Sequence, residues 1–377
     1  MKIIHIITGL KDGGAENILY KICKYDISNE HIVISLTNGD KYFSLLKKLG
    51  IKIYCMNMTS YSVFKFFDLV KLIRFLKPNV VQTWLIHGDF VGSIAARLAG
   101  MRNIVWNIVY SKLEIGSVRL RTILLIKLLA RLSYLLPKLI IVVSKSSKVN
   151  CEKLRYSKKK LRLVSSGYDL SLLKPNKKQK LYFRKKLKIK KSLPLIGIVA
   201  RYHQIKDHTN LFKALSIIKF KNIDFLCVLI GSDMNKKNKF VIREIKKLQL
   251  NNHVKLLGKK NDIPQVMNGL DINILCSKSE GFPNVIPEAM ACGTPCVVTD
   301  VGDCALIVGN SGWIVPPKNP YKLAKAIEQA IIEVNKKNWQ KRCNLVRQRI
   351  KKKFDISKMI LTYNKTWGEA YNLKLPK

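Results

Sequence analysis

Acidic residues are scarce in this sequence. Its 377 residues hold 24 Asp and Glu against 69 Lys and Arg, a formal net charge of +45 at pH 7. Such a field draws polyanions: nucleic acid, anionic lipid or diphosphate-bearing substrates. Part of the excess is a lysine-rich composition decorating solvated faces, with basic runs at 158–160, 184–191, 236–239 and 351–353. The chain lacks an RNA-binding signature, zinc-finger spacing and basic-zipper heptads, so nucleic acid ranks below an anionic membrane surface as a partner. It also lacks a long apolar run. The nearest, 123–143, is interrupted by Lys127, Arg131, Pro137 and Lys138, which argues against a membrane-crossing helix. The first ten residues are too short for a signal peptide and lead straight into a glycine turn. Nine cysteines, odd in number and irregular in spacing, read as reduced thiols of a cytoplasmic protein. Cys292 and Cys296 have no second pair to complete a metal site, and no Asp-x-Asp or His/carboxylate cluster stands out. No metal or other cofactor is therefore expected, and no solenoid-length repeat is present.

What is there is a steady alternation of apolar strands and helices, which predicts parallel sheets with helices on both faces. Strands are expected near 2–8, 31–36, 52–56, 80–84, 103–109 and 139–144. A second set follows near 195–200, 225–230, 254–257, 272–276 and 295–299. Between the sets, 172–191 is polar, proline-containing and basic, and reads as a linker leading into a helix. The expected division is 1–170, joined by a C-terminal helix 355–377, and 171–354.

The segment most loaded with chemistry runs Ser277-Lys-Ser-Glu280-Gly281-Phe282-Pro283-Asn284-Val285-Ile286-Pro287-Glu288. It leaves a buried strand and enters a helix. Free amides at Phe282, Asn284 and Val285 could cradle a phosphate. Glu280 and Glu288 repel phosphate and suit sugar or ribose hydroxyls. Read alone, the pair fits a helix with an acidic first turn equally well. A second segment, Gly197-Ile-Val-Ala-Arg201-Tyr-His-Gln-Ile-Lys206-Asp207-His208, follows the first strand of the second set. Two cations there can neutralise a departing diphosphate. Gly231 and Gly258 stand at strand ends and allow close backbone approach.

These segments, with Asp300-Val-Gly302-Asp303 and Gly312-Trp313-Ile-Val315-Pro316-Pro317, resemble glycosyltransferase family 4, the glycosyl transferases group 1. The resemblance runs from the linker to about residue 317. It implies a GT-B fold: two Rossmann-like doubly wound α/β domains facing a central cleft. The implied enzyme moves a hexose or N-acetylhexosamine from a nucleotide-diphosphate sugar, UDP being the commonest carrier in the family, and does so with retention. Arg201 and Lys206 would hold the diphosphate and Glu280 the sugar hydroxyls. Glu288 would hold the ribose, and residues Phe282, Pro283, Asn284 and Val285 would present amides to phosphate. The resemblance also implies domain closure over the donor and a return of the last helix, with Phe354, Met359, Tyr363 and Trp367, onto the first domain.

The acceptor side is thinner. Gly13 and Gly14 join the first strand to its helix and match the family's Gly-Gly-Ala/Thr-Glu start, completed here by Ala15 and Glu16, which implies donor binding at the phosphates or an acceptor contact. His87 and Asp89 follow a strand end, where ligands of parallel sheets sit, and a Trp-x-x-His-x-Asp segment occurs in family members; they are the acceptor-side candidates, with His87 reading either as a catalytic residue or as a local cap. Asn107 and Val109 stand where similar members carry His or Arg, within a segment running on to Tyr110 and Ser111. In 119–138, Lys127, Arg131 and Lys138 share a helical face with Tyr134, opposite Leu and Ile. Such a helix suits either an anionic lipid surface or packing on the sheet with its cations in water. Saccharide or lipid-linked acceptors tip the expectation to a peripheral protein of the inner membrane face, serving surface polysaccharide or glycan synthesis. Two rival readings are a sugar-nucleotide epimerase on the same donor pocket and a non-enzymatic polyanion binder.

Overall fold

The computed structural model describes residues 1–58, 63–109, 120–190 and 192–372. Tyr110, Ser111, Arg119, Lys191 and the chain beyond 372 lie outside that set. The chain forms two compact units, Met1–Gly167 with Ile356–Lys377, and Tyr168–Asp355.

In the first unit, β1 (Lys2–Ile7), β2 (Glu30–Ser35), β3 (Lys52–Cys55), β4 (Val80–Trp84), β5 (Ile104–Ile108), β6 (Leu139–Val142) and β7 (Leu161–Leu163) form a parallel sheet. Its order is β3-β2-β1-β4-β5-β6-β7. The strands are runs of Ile and Val because both faces are covered. Ile3 and Ile7 enter one core with Val33, Val105 and Ile141, while Ile4 and Ile6 enter the other with Ile34, Val81 and Ile140. That is the two-residue alternation of a strand.

The second unit repeats the plan. Strands β8 (Leu195–Val199), β9 (Leu226–Ile230), β10 (Val254–Gly258), β11 (Ile272–Leu275), β12 (Cys296–Thr299) and β13 (Trp313–Val315) pair in parallel in the order β10-β9-β8-β11-β12-β13. Each sheet reverses its strand order once, between β1 and β4 and between β8 and β11. These are the switch points where doubly wound sheets bind ligands.

Three expectations need adjusting. β7 and β13 are three-residue edge strands, too short to show a period in the sequence. Tyr168 belongs to the second unit's core and donates its backbone N–H to Phe354 at 2.9 Å, so the units divide after Gly167 rather than after 170. The described part of 172–191 is not a free linker. Asn176 caps a helix, Lys177–Lys186, whose Arg184 is buried and donates to Asp271 at 2.9 Å. The Asp271 carboxylate also takes Lys180 at 2.7 Å and the Leu195 amide at 2.8 Å, fastening this helix to the base of β8.

The C-terminal helix, Ile356–Tyr371, completes the first unit. Tyr363 and Trp367 are fully buried in its core. The Trp367 indole N–H donates to Gln82 on β4, and the Tyr363 hydroxyl donates to Asn107 on β5 at 3.4 Å.

Candidate functional site

At the switch point of the second unit, two loops are held together by their backbones. After β8 the chain passes Ala200 and Arg201 into a turn, Gln204–Lys206, and then the helix His208–Phe220. After β11 it runs through Ser277 and Lys278. The Lys278 amide donates to Ile205 O at 2.7 Å, and the Cys276 thiol donates to Lys206 O at 3.1 Å. Asp207 makes the turn in the left-handed region, at φ +50°, and pairs with Lys278 Nζ at 3.5 Å.

This stapling brings Lys206 Nζ to 2.5 Å from Glu280 Oε1, and the Ser277 hydroxyl donates to the same oxygen at 2.6 Å. The two charged side chains are 22% and 12% exposed, so the pair is reachable yet largely out of water. Lys206 and Glu280, 74 residues apart in sequence, are thereby brought into contact. Arg201 is exposed and has no carboxylate partner among the described residues. His208, at the head of the helix, is buried. Burial, with Lys206 beside it, lowers its pKa to about 4 and keeps it neutral.

Glycines set how closely these loops approach. At Gly231, φ is +151° and an added Cβ would lie 2.0 Å from Ala200 O, so no side chain fits between the ends of β8 and β9. At Gly302, φ is +57° and a Cβ would lie 2.3 Å from Glu280 O, which lets the turn after β12 support the Glu280 backbone. Asp303 N–H then donates to Gly281 O at 3.0 Å, and Thr299 Oγ1 donates to Ser277 O at 2.7 Å. Tyr168 fixes the far side of the loop by donating to Asn284 Oδ1 at 2.5 Å. The helix Val285–Ala291 begins here, with Pro287 in its first turn and the half-buried Glu288 following it. The amides of Phe282, Asn284 and Val285 have no acceptor among the described residues. Gly258 closes β10 at φ +65° with open space where a Cβ would stand. The crevice thus offers cations and free amides for an anion, and carboxylates for hydroxyls.

In the first unit, a cavity of about 650 Å³ lies at the carboxyl ends of β1 to β4, lined by Thr8, Gly9, Glu16, Thr37, Asn57 and Leu85 among others. Gly13 caps the helix Gly14–Tyr25, and the Glu16 carboxylate folds back over it, 2.4 Å from where a Cβ would be. Burial raises the Glu16 pKa, with Asp12 adding to the effect against its own backbone hydrogen bond. Leu85 holds φ +66°, an uncommon conformation for a branched side chain at a strand exit. His87 is exposed on the following turn, outside the lining of this cavity.

The expected acceptor contact at Asp89 needs correction. Asp89 is 2% exposed, accepts from Thr83 Oγ1 at 2.6 Å and faces the interior. Burial pushes its pKa well above the usual carboxylate range. Asn107 is likewise buried, under Tyr363. The polar lining at Thr8, Thr37 and Asn57 was not singled out in the sequence, although each follows a strand end, which was the available signal.

One buried cluster escaped the sequence altogether. His5, Cys23 and His31 bring ligand-type atoms within 4.8 Å of one another. The Trp84 indole, which can only donate, points at His5 Nδ1 at 3.2 Å. His5 must therefore carry its proton on Nε2 and donate it to His31 Nδ1 at 2.9 Å, and His31 Nε2 in turn donates to Asp26 at 3.1 Å. Every ring nitrogen is committed, so the proton order leaves no imidazole lone pair for a metal. Burial and the neighbouring His31 keep His5 neutral, far below its ordinary pKa. Burial raises the Asp26 carboxyl, but hydrogen bonds from His31, Ser28, Asn29 and Asn364 outweigh it and hold the group ionised. The chain ties β1, β2 and the C-terminal helix together.

Comparison with known proteins bears on both units. Residues 179–346 match the family described as glycosyl transferases group 1. The chain is 31% identical over 143 residues to the putative glycosyltransferase EpsF of Bacillus subtilis, covering 38% of this chain and 37% of that one. It is 25% identical over 260 residues to the UDP-Gal:alpha-D-GlcNAc-diphosphoundecaprenol alpha-1,3-galactosyltransferase of Escherichia coli, covering 64% and 63%. It is 26% identical over 312 residues to the N,N'-diacetylbacillosaminyl-diphospho-undecaprenol alpha-1,3-N-acetylgalactosaminyltransferase of Campylobacter jejuni, covering 78% and 80%. The first two alignments thus span less than two thirds of those relatives' lengths. Among solved structures, HepE of Anabaena in complex with UDP matches with a TM-score of 0.86 at 22% identity, covering 98% of this chain and 100% of that one. A glycosyltransferase of Rickettsia africae matches with a TM-score of 0.84 at 21% identity, covering 100% and 99%. At these identities the likeness establishes the fold, which is GT-B.

Proposed function

Residues 179–346 belong to the glycosyl transferases group 1 family, and from that premise we propose that the protein moves a hexose or N-acetylhexosamine from a UDP-sugar to a saccharide or lipid-linked acceptor, with retention, in surface polysaccharide or glycan synthesis. The observation that carries the reading is the Lys206–Glu280–Ser277 constellation at the β8/β11 switch point, closed in by Gly231 and Gly302.

In this reading Lys206 and Arg201 bind the diphosphate, and the amides of Phe282, Asn284 and Val285 take its remaining oxygens. Lys206 turns from Glu280 to phosphate as the donor enters, which frees the carboxylate to accept from sugar hydroxyls. Glu288 takes the ribose hydroxyls. The bond from the anomeric carbon to the phosphate oxygen breaks and a bond to the acceptor hydroxyl oxygen forms. The acceptor proton leaves on the departing diphosphate, whose charge the two cations offset as it grows. No metal or other cofactor is assigned a part. Contacts to the acceptor are assigned to the first unit, at the cavity beside Glu16 and at the exposed His87. The names of the Escherichia coli and Campylobacter jejuni relatives, both built on diphospho-undecaprenol, support a lipid-linked acceptor. The UDP held by HepE supports the donor base. Among the described residues no helix is long and apolar enough to cross a membrane, so the protein would meet such an acceptor from the membrane surface.

Calorimetric titration with UDP tests the donor assignment. Removing a charged partner of a phosphate costs about 1.5–3 kcal/mol. Lys206→Ala and Arg201→Ala should therefore each weaken UDP binding by about tenfold or more while leaving the unfolding midpoint near that of the wild type. Unchanged UDP affinity in both variants would remove the assignment.

A further inference from the structure

Three helices of the first unit lie over one core on one side of its sheet: Val63–Leu76, Ser93–Leu98 and Leu120–Leu132. Leu69 and Ile73, Ala95 and Ala96, and Ile126 and Leu129 all enter that core with Ile4, Val81 and Ile140. Two arginines stitch the helices side by side. Arg74 donates to Leu98 O at 2.7 Å, and Arg97 donates to Leu135 O at 2.8 Å and Leu136 O at 2.7 Å.

The outward face of this layer is unusually apolar. Phe64 is 87% exposed, Phe75 79%, Leu120 71% and Leu135 71%, and Phe67, Leu98, Leu124, Leu128 and Tyr134 are exposed beside them. Nine of the 24 exposed large apolar side chains among the described residues fall on these three helices and the turn that follows the last. Elsewhere they are scattered. The helix Leu120–Leu132 splits its leucines: Leu129 packs inward, while Leu120, Leu124 and Leu128 stay outside in line with Arg121, Lys127 and Arg131. Asp68 is the one acidic residue on the three helices.

We propose that this face is the surface by which the protein docks on a bilayer leaflet rich in anionic headgroups, with Phe64, Phe75, Leu120 and Leu124 entering the acyl boundary and Arg121 and Lys127 reaching lipid phosphates. The mixture of the two residue types selects the occupant. A protein partner would have to strip water from the cations interleaved with the apolar residues. A bilayer interface offers apolar depth and phosphate at adjoining levels, so each side chain type finds its own layer. The proposal deepens the functional reading above, since it rests on a lipid-linked acceptor to give the docking a purpose, but the surface itself does not depend on the donor chemistry.

The test is sedimentation of the full chain with phosphatidylcholine vesicles with and without phosphatidylglycerol. Binding should need the anionic lipid. The double variant Phe64→Ser/Phe75→Ser and the double variant Arg121→Gln/Lys127→Gln should each weaken it by about tenfold or more. Lys239→Gln/Lys246→Gln, which removes the same charge from a helix of the second unit, should not. UDP affinity, measured alongside, should stay at the wild-type value in all three. Equal losses from all three variants would mean diffuse electrostatics and overturn the docking face. So would binding indifferent to the phenylalanines, or a wild-type protein that ignores the vesicles and self-associates through this face. Loss of UDP binding in the wild type would sink the donor reading and leave the vesicle result standing.

Discussion

Gly231 and Asp89 show how single positions decide what each sheet end can do. At Gly231 the neighbouring carbonyl is 2.0 Å from any added Cβ and φ is +151°, so Gly231→Ala must push the ends of β8 and β9 apart. Strain and clash together cost about 2–4 kcal/mol. The expected outcome, read by thermal denaturation and UDP titration, is a lowered unfolding midpoint together with weakened nucleotide binding. A variant that keeps both would mean the strand ends are not held as described. Asp89 is buried with its pKa raised. A raised folded-state pKa means that the folded protein binds more protons than the unfolded chain between the two pKa values, so this group gains stability as pH falls and costs stability above its folded pKa. Asp89→Asn, which keeps the oxygen that Thr83 donates to, should therefore be more stable than the wild type at pH 7. The advantage should shrink as pH falls and be gone below about pH 3.9, where the unfolded carboxyl also protonates. Denaturant titrations across that range would show it.

The elements differ in how much of their role was legible beforehand. The loops after β8 and β11 could be read because their chemistry is contiguous: Arg201 to His208 carries a run of cationic and imidazole side chains, and Glu280 to Glu288 carries its own glycine, prolines and paired carboxylates. The polar chain under the C-terminal helix could not be read, since it joins His5, His31, Trp84 and Asn364 from four separate elements with Asp26 from the loop before β2. Periodicity places His5 in a strand but says nothing of what stacks above it. The edge strands β7 and β13 were missed for want of length, and Asp89 was misplaced because a strand-end position does not reveal which way a side chain turns. The helix Lys177–Lys186 was mistaken for linker because six of its ten residues are Lys or Arg. One buried carboxylate helps fix its place, so Asp271→Ala would take the counter-charge from Arg184, whose guanidinium also donates to Lys190 O and Leu193 O, and should cost about 3–5 kcal/mol in unfolding free energy. A loss below 1 kcal/mol would show that the pair does not anchor the helix.

At the scale of the whole molecule, the two units put their excess charge to different uses. In the second, Arg201 and Lys206 stand at a strand-end crevice, the proposed diphosphate site, whereas Arg184 is spent on fastening a helix. In the first, cations sit among exposed aromatic and aliphatic side chains on three helices. A net charge of +45 therefore contains ordered parts, although composition alone shows only its sign. The central claim is sugar transfer from a nucleotide-diphosphate donor at the Lys206–Glu280 crevice. Its most direct measurement is transfer of labelled sugar from a panel of UDP-sugars into membrane-extract acceptor, comparing the wild type with Glu280→Gln. The account predicts labelled product from at least one donor with the wild type, and a fall of about a hundredfold or more in the variant with its fold intact, the scale on which loss of a group acting in the transition state is felt. Full transfer by Glu280→Gln would contradict it.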